Sequence, residues 1–92
     1  MRPAEPIPVV LLTKDHCDLC EQAQEVLARV AVDHPLAVRL VDLASDEGVA
    51  LAQEGGVLFP PGVLLDGRPF SYGRLSERKL RRELARRHDV RA

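Results

Sequence analysis

Cys17 and Cys20 are the only thiols in the chain, and Asp18 and Leu19 are all that separates them. At that spacing the pair can close a small disulfide ring or stand as a dithiol on the first turn of a helix. Either state is redox chemistry, because the thiolate is the nucleophile of disulfide exchange. The unpaired N–H groups and positive dipole end of a helix start stabilise such a thiolate and lower the pKa of the first cysteine. Cys17, at the N-cap, should face solvent and attack first. Cys20, three positions on, should turn inward and break the resulting mixed disulfide. The same thiols could instead supply part of a metal or iron–sulfur site, the latter shared between two chains. Structural zinc wants four ligands, and only His16 lies beside the pair, His34 and His88 being elsewhere.

The dithiol has to be held by the elements on either side. Before it runs Val9-Val10-Leu11-Leu12, short, β-branched at its start and bounded by Pro8 and Thr13, as a buried strand should be. The strand is expected over about Ile7 to Thr13. A helix is expected from Asp18 to about Val32, with Leu19, Ala23, Val26, Leu27, Val30 and Ala31 on one face. Asp33-His34-Pro35 ends it. Ala37 to Asp42 reads as a second strand, its imperfect alternation pointing to cover on both faces. A helix between two strands implies that they are parallel. Ser45 is the N-cap of a short helix that stops at Gly55-Gly56. Val63-Leu64-Leu65 and Arg68 to Tyr72 form a hairpin through Asp66-Gly67. Ser76 opens a last helix from Glu77 to about His88, with Leu80, Leu84 and either Ala85 or His88 inward. The order β-α-β-α-β-β-α predicts an α/β chain: one four-stranded mixed sheet flanked by helices.

Composition narrows the classes. The 92 residues are 46% hydrophobic, which suits a single domain, expected over 7–92 behind a Pro-rich, mobile lead-in at 1–6. The only aromatics are Phe59, Phe70 and Tyr72, too few for a base-stacking surface, so no nucleic acid is expected as partner. No apolar run approaches the length of a membrane span or a signal peptide, so a cytoplasmic protein without membrane attachment is expected. Two adjacent cysteines are not the disulfide framework of a small secreted domain. Charge is uneven: residues 1–73 hold 5 basic and 11 acidic side chains, a net −6, and residues 74–92 hold 8 basic and 3 acidic, a net +5. The basic end reads chiefly as the solvated arc of the last helix, with an acidic docking partner as the other reading.

At this point the chain resembles the glutaredoxin-like branch of the thioredoxin superfamily, from about Ile7 to His88. Two stretches carry the resemblance: Leu12 to Cys20, with basic Lys14 three before the first cysteine, and Phe59-Pro60-Pro61-Gly62-Val63-Leu64-Leu65-Asp66-Gly67. The resemblance implies a thiol-disulfide oxidoreductase acting on protein or low-molecular-weight mixed disulfides, a monomer without a bound cofactor. It also implies that Pro61 is cis and lies across from the dithiol. Pro60, just before it, has no N–H to donate to a substrate. Gly73 matches one glycine of the family's grip on glutathione, but no carboxylate follows it here. Glutathione or another thiol therefore remains open as co-substrate, as does a thioredoxin-type partner. Lys14 is expected to attract a carboxylate or steady the thiolate, and His16 to lend charge or shape the substrate groove, both being otherwise ordinary loop residues. Asp18 places a carboxylate beside Cys17, opposes the helix dipole and should make the couple more reducing. Two other classes share these residues: a metal or cluster carrier, and an interaction protein in which the dithiol is idle.

Overall fold

The computed structural model describes residues 5–91, with side chains as far as residue 87. Residues 1–4 of the expected lead-in and the side chain of His88 lie outside the described residues. The elements are β1 (Ile7–Thr13), α1 (Asp18–Asp33), β2 (Leu36–Asp42), α2 (Asp46–Gly55), β3 (Gly62–Leu65), β4 (Arg68–Tyr72) and α3 (Glu77–Arg91). They form one sheet in the order β2-β1-β3-β4, with β2 parallel to β1 and with β3 antiparallel to both β1 and β4. The expected fold class is the one observed. Its largest boundary difference is α3, which runs three residues past His88.

β1 is central because both of its faces are apolar. Ile7, Val9 and Leu11 meet Ala23, Val26, Leu27 and Val30 of α1, Leu80 and Leu84 of α3, and Val63, Leu65 and Leu75 in the main core. On the other face Leu12 lies against Gly62 and Val57, and Leu64 against Gly55 at the end of α2. Local chemistry sets the ends of the helices. Ser45 Oγ accepts from the Gly48 N–H at 2.9 Å, and Gly56 closes α2 at φ 66°, in the left-handed region where glycine carries no Cβ penalty. The Ser76 hydroxyl accepts from the Lys79 N–H at 3.2 Å. Asp66 and Gly67 both have positive φ, 54° and 82°, as a two-residue turn matched to the sheet twist requires.

Two expectations are corrected. β2 is not covered on both faces: it is an edge strand in which Val38 is 43% and Leu40 54% exposed. The main-core helices lie over β1 and β3, and α2 meets β2 through the backbone at Gly48 and an exposed Arg39–Glu47 pair at 2.7 Å. Ala85 is exposed, because one residue beyond Leu84 turns about a quarter of the way round the helix. The basic helix is also less free than a solvated arc. Arg29 of α1 meets Glu77 at 3.0 Å, and Arg81 reaches Asp33 at 2.7 Å and Glu77 at 3.0 Å, tying α3 to α1. Arg86 and Arg87 share Glu83. Arg78, Lys79 and Arg82 are exposed and belong to none of these ion pairs.

Two stability outcomes follow. A Cβ at Gly48 would collide with the Asp42 carbonyl and come within 2.9 Å of Leu43 Cα, both backbone. Gly48→Ala, which in an open helix would stabilise by about 1 kcal/mol, should instead destabilise by about 1–3 kcal/mol in urea unfolding. Hydrogen bonds from Arg29, then Arg81, hold the Glu77 carboxyl below the usual glutamate range. A depressed folded-state pKa stabilises fully above the unfolded value, about 4.3, and the contribution disappears as pH falls through the folded value. Glu77→Gln should therefore lower the melting temperature at pH 7, and the difference from the parent should close on acidification below about pH 4.

Candidate active site

The carboxyl end of β1 delivers the chain to the dithiol. Beyond Thr13, the loop Lys14–His16 turns with His16 at φ 55°, and Cys17 takes extended geometry as the N-cap of α1. Cys17 and Cys20 form a disulfide, their Cα atoms 5.2 Å apart. The Cys20 N–H donates to Cys17 Sγ at 3.1 Å, and the Glu21 N–H to the Cys17 carbonyl at 3.1 Å. The sulfur of Cys17 thus does the work that a Ser or Asp oxygen does at an ordinary N-cap. Cys17 is half-buried, whereas Cys20 is 2% exposed and faces inward.

The strand register brings the second stretch to the same end of the sheet. Gly62 pairs with Leu12, so Pro61 stands level with Thr13 where β1 leaves the sheet. The Pro60–Pro61 peptide bond is cis, as the resemblance implied, and the Pro61 carbonyl accepts from the Gly73 N–H at 2.8 Å. Pro61 and Gly73 are buried and Pro60 is half-buried. Gly73 has φ 77°, and a Cβ there would lie 2.8 Å from the Phe59 ring, so only glycine lets that ring settle. Phe59 in turn meets Tyr72 edge-to-face, with centroids 5.0 Å apart. Tyr72 also borders an open hollow of about 340 Å³ lined by Gly55, Val57, Pro69, Phe70 and Ser71.

The expected site residues therefore separate into two groups. Pro60, Pro61 and Gly73 form a wall at the end of the sheet where β1 leaves it, while Lys14 and His16 are exposed on the loop that leads to Cys17. Phe59 and Tyr72 are 52% and 41% exposed. Leu58, 76% exposed, was missed. Its signal was an apolar pair, Leu58-Phe59, standing directly before two prolines, where no helix or strand could cover it. Arg74 was also missed as a local cation; its guanidinium reaches Gln22 Oε1 on α1 at 3.0 Å. Among the described residues, no group of three or more His, Cys, Asp and Glu side chains is placed to hold a metal ion. No helix among them is long and apolar enough to cross a membrane.

A mixed four-stranded sheet with a Cys-x-x-Cys pair capping the first helix defines a thioredoxin-like fold. The chain belongs to the glutaredoxin-like domain family (DUF836), whose model matches residues 8–85. An uncharacterized protein of Mycobacterium tuberculosis is 36% identical over 81 residues, covering 85% of this chain and 82% of that protein. A thioredoxin-like protein from Clostridium perfringens superposes with TM-score 0.72 at 16% identity, over 88% of this chain and 70% of the other. A mutant thioredoxin from Halobacterium salinarum gives 0.66 at 26% identity, over 89% and 74%. The fold and the paired cysteines together support a redox role for this chain.

The difference in exposure predicts the order of reaction. After reduction, iodoacetamide should label Cys17 at least about tenfold faster than Cys20, since only the first is both a helix-terminal thiol and reachable. Peptide mapping by mass spectrometry reads the ratio.

Proposed function

We propose that the protein is a thiol-disulfide oxidoreductase that reduces protein or low-molecular-weight mixed disulfides through Cys17 and Cys20. The observation that carries this reading is the disulfide itself, with Cys17 half-exposed as the N-cap of α1 and Cys20 buried behind it. In the reduced protein the Cys17 thiolate attacks one sulfur of a substrate disulfide. A Cys17–substrate bond forms, the substrate S–S bond breaks, and the leaving thiolate takes a proton. The Cys20 thiolate then attacks Cys17 Sγ, expelling the second substrate thiol and closing the Cys17–Cys20 disulfide. Two electrons pass from the dithiol to the substrate, and an external thiol or dithiol, glutathione or a thioredoxin-type partner among the candidates, restores them. The cycle requires no resident cofactor and no second copy of the chain.

Charge around the nucleophile tunes this chemistry. Asp18 and Glu21 occupy the first turn of α1, where their carboxylates oppose the stabilisation that the helix end offers a thiolate. The couple should therefore lie toward the reducing side of the range spanned by thioredoxins and glutaredoxins, about −200 to −270 mV. Equilibration with dithiothreitol buffers of graded ratio, read as free thiol, measures it. A reversible two-electron transition in that range supports the reading, and thiols that never pair under mild oxidation refute it. Cys17→Ser should abolish disulfide reduction. Cys20→Ser should arrest the reaction as a Cys17–substrate adduct visible by mass.

A further inference from the structure

Two features stand around the disulfide beyond the thiols themselves. The first is apolar. Leu58, Phe59 and Tyr72 are 76%, 52% and 41% exposed, and Phe59 is held between Tyr72 and the backbone of Gly73. Tyr72 pairs with Gly62 and Gly62 with Leu12, so Tyr72 and the Phe59 ring against it stand at the end of the sheet where β1 leads to Cys17; Leu58 directly precedes Phe59, and the hollow beside Tyr72 adds room for a further side chain. The second is electrostatic. Asp15, Asp18 and Glu21 flank Cys17, while Asp42 and Asp46 sit where β2 turns into α2, tied to β1 by the bond from the Leu43 N–H to the Thr13 carbonyl at 2.8 Å. All five are exposed and, among the described residues, none forms an ion pair, although carboxylates elsewhere, Glu47, Glu77 and Glu83, are matched by arginines. Among the described residues the local cations are Lys14 and Arg74, and the latter is held by Gln22. Carboxylates therefore outnumber cations at this end of the molecule.

Resting on the oxidoreductase reading, we propose that the site selects protein disulfides whose cysteine is flanked by an apolar residue and a cation, and discriminates against anionic partners. The apolar residue covers the Leu58–Phe59–Tyr72 surface. The cation meets the unpaired carboxylates around Cys17, which attract it as it approaches and repel a carboxylate-bearing thiol. The choice is set by charge complementarity, so it fades with salt.

The test uses the full chain, reduced beforehand with dithiothreitol and freed from it, against four peptides of equal length. Each carries one cysteine as a mixed disulfide with mercaptoethanol, flanked by Leu and Lys, Leu and Glu, Ser and Lys, or Ser and Glu. The second-order rate of peptide release is measured at low salt and at high salt. The Leu–Lys peptide should react on the order of tenfold faster than Leu–Glu at low salt, with the ratio collapsing at high salt. The combined variant Asp15→Asn, Asp18→Asn, Glu21→Gln should bring the Lys-to-Glu ratio close to one. Because that ratio compares two peptides on one enzyme, any change in Cys17 reactivity cancels. Leu58→Ser should shrink the Leu-to-Ser ratio while leaving the charge ratio in place. Equal rates for Lys and Glu peptides, or a preference that survives both salt and the triple variant, overturn the proposal while the oxidoreductase reading stands. A dithiol that reacts with none of the four peptides overturns both.

Discussion

The double-sided burial of β1 is the constraint on which the redox end depends. Ile7, Val9 and Leu11 are committed to the core beneath α1 and α3, and Leu12 to the layer beside Gly62 and Val57. A one-residue slip would put Pro8, Val10 and Leu12 beneath α1 and α3 in place of Ile7, Val9 and Leu11, giving each layer side chains that it is not packed to take, so the register against β2 and β3 is strongly specified. Because the register is set, the end of β1 is set too, and with it the point from which Lys14–His16 must bring the chain to Cys17. The carboxyl ends of strands are where α/β sheets leave open space for a ligand. Here that space receives the amino end of α1 and the cis-proline loop together.

Glycine and proline do at the wall what apolar packing does in the core. Gly73 tolerates φ 77° and leaves room for the Phe59 ring, while its N–H closes onto the Pro61 carbonyl. Pro60 and Pro61 remove two backbone donors from this surface. For the substrate proposed above, the contacts on offer here are the Pro60 carbonyl and the side chains of Leu58, Phe59 and Tyr72. Stabilising charge is sorted to the opposite task. Arg29, Arg81, Arg86 and Arg87 find carboxylates on or between α1 and α3, while the carboxylates near Cys17 have no ion-pair partner among the described residues. Exposed pairs of this sort are individually weak, but Arg81 joins Asp33 and Glu77 across two helices and so also orients α3.

Much of this was legible because its causes are local. The run Val9 to Leu12, the Ser45 cap, the left-handed Gly56 and the Asp66-Gly67 turn are each written in a few neighbouring residues, and their elements begin and end close to where those residues say. β2 was misread because an apolar run looks alike whether it lies in the middle of a sheet or at its edge. Val38 and Leu40 have the composition of buried residues, and only the strand order exposes them. The ion pairs that tie α3 to α1 were not legible for a related reason: Glu77 and Asp33 are 44 residues apart in the chain yet meet on one guanidinium.

By itself the sequence determined the chemistry on offer: two thiols at Cys-x-x-Cys spacing, a strand before them, a helix after them and a distant Pro-Pro-Gly. Spacing along a chain and the periods of helix and strand are short-range quantities, so these could be read without the fold. The N-cap position also told which thiol faces outward, whereas the tertiary structure decided what stands beside it and what charge surrounds it. Those depend on register and strand order, which arise when the two faces of β1 are buried at once. Only then does Tyr72, with Phe59 against it, come level with Leu12 at the redox end, and only then does Asp42 come level with Thr13.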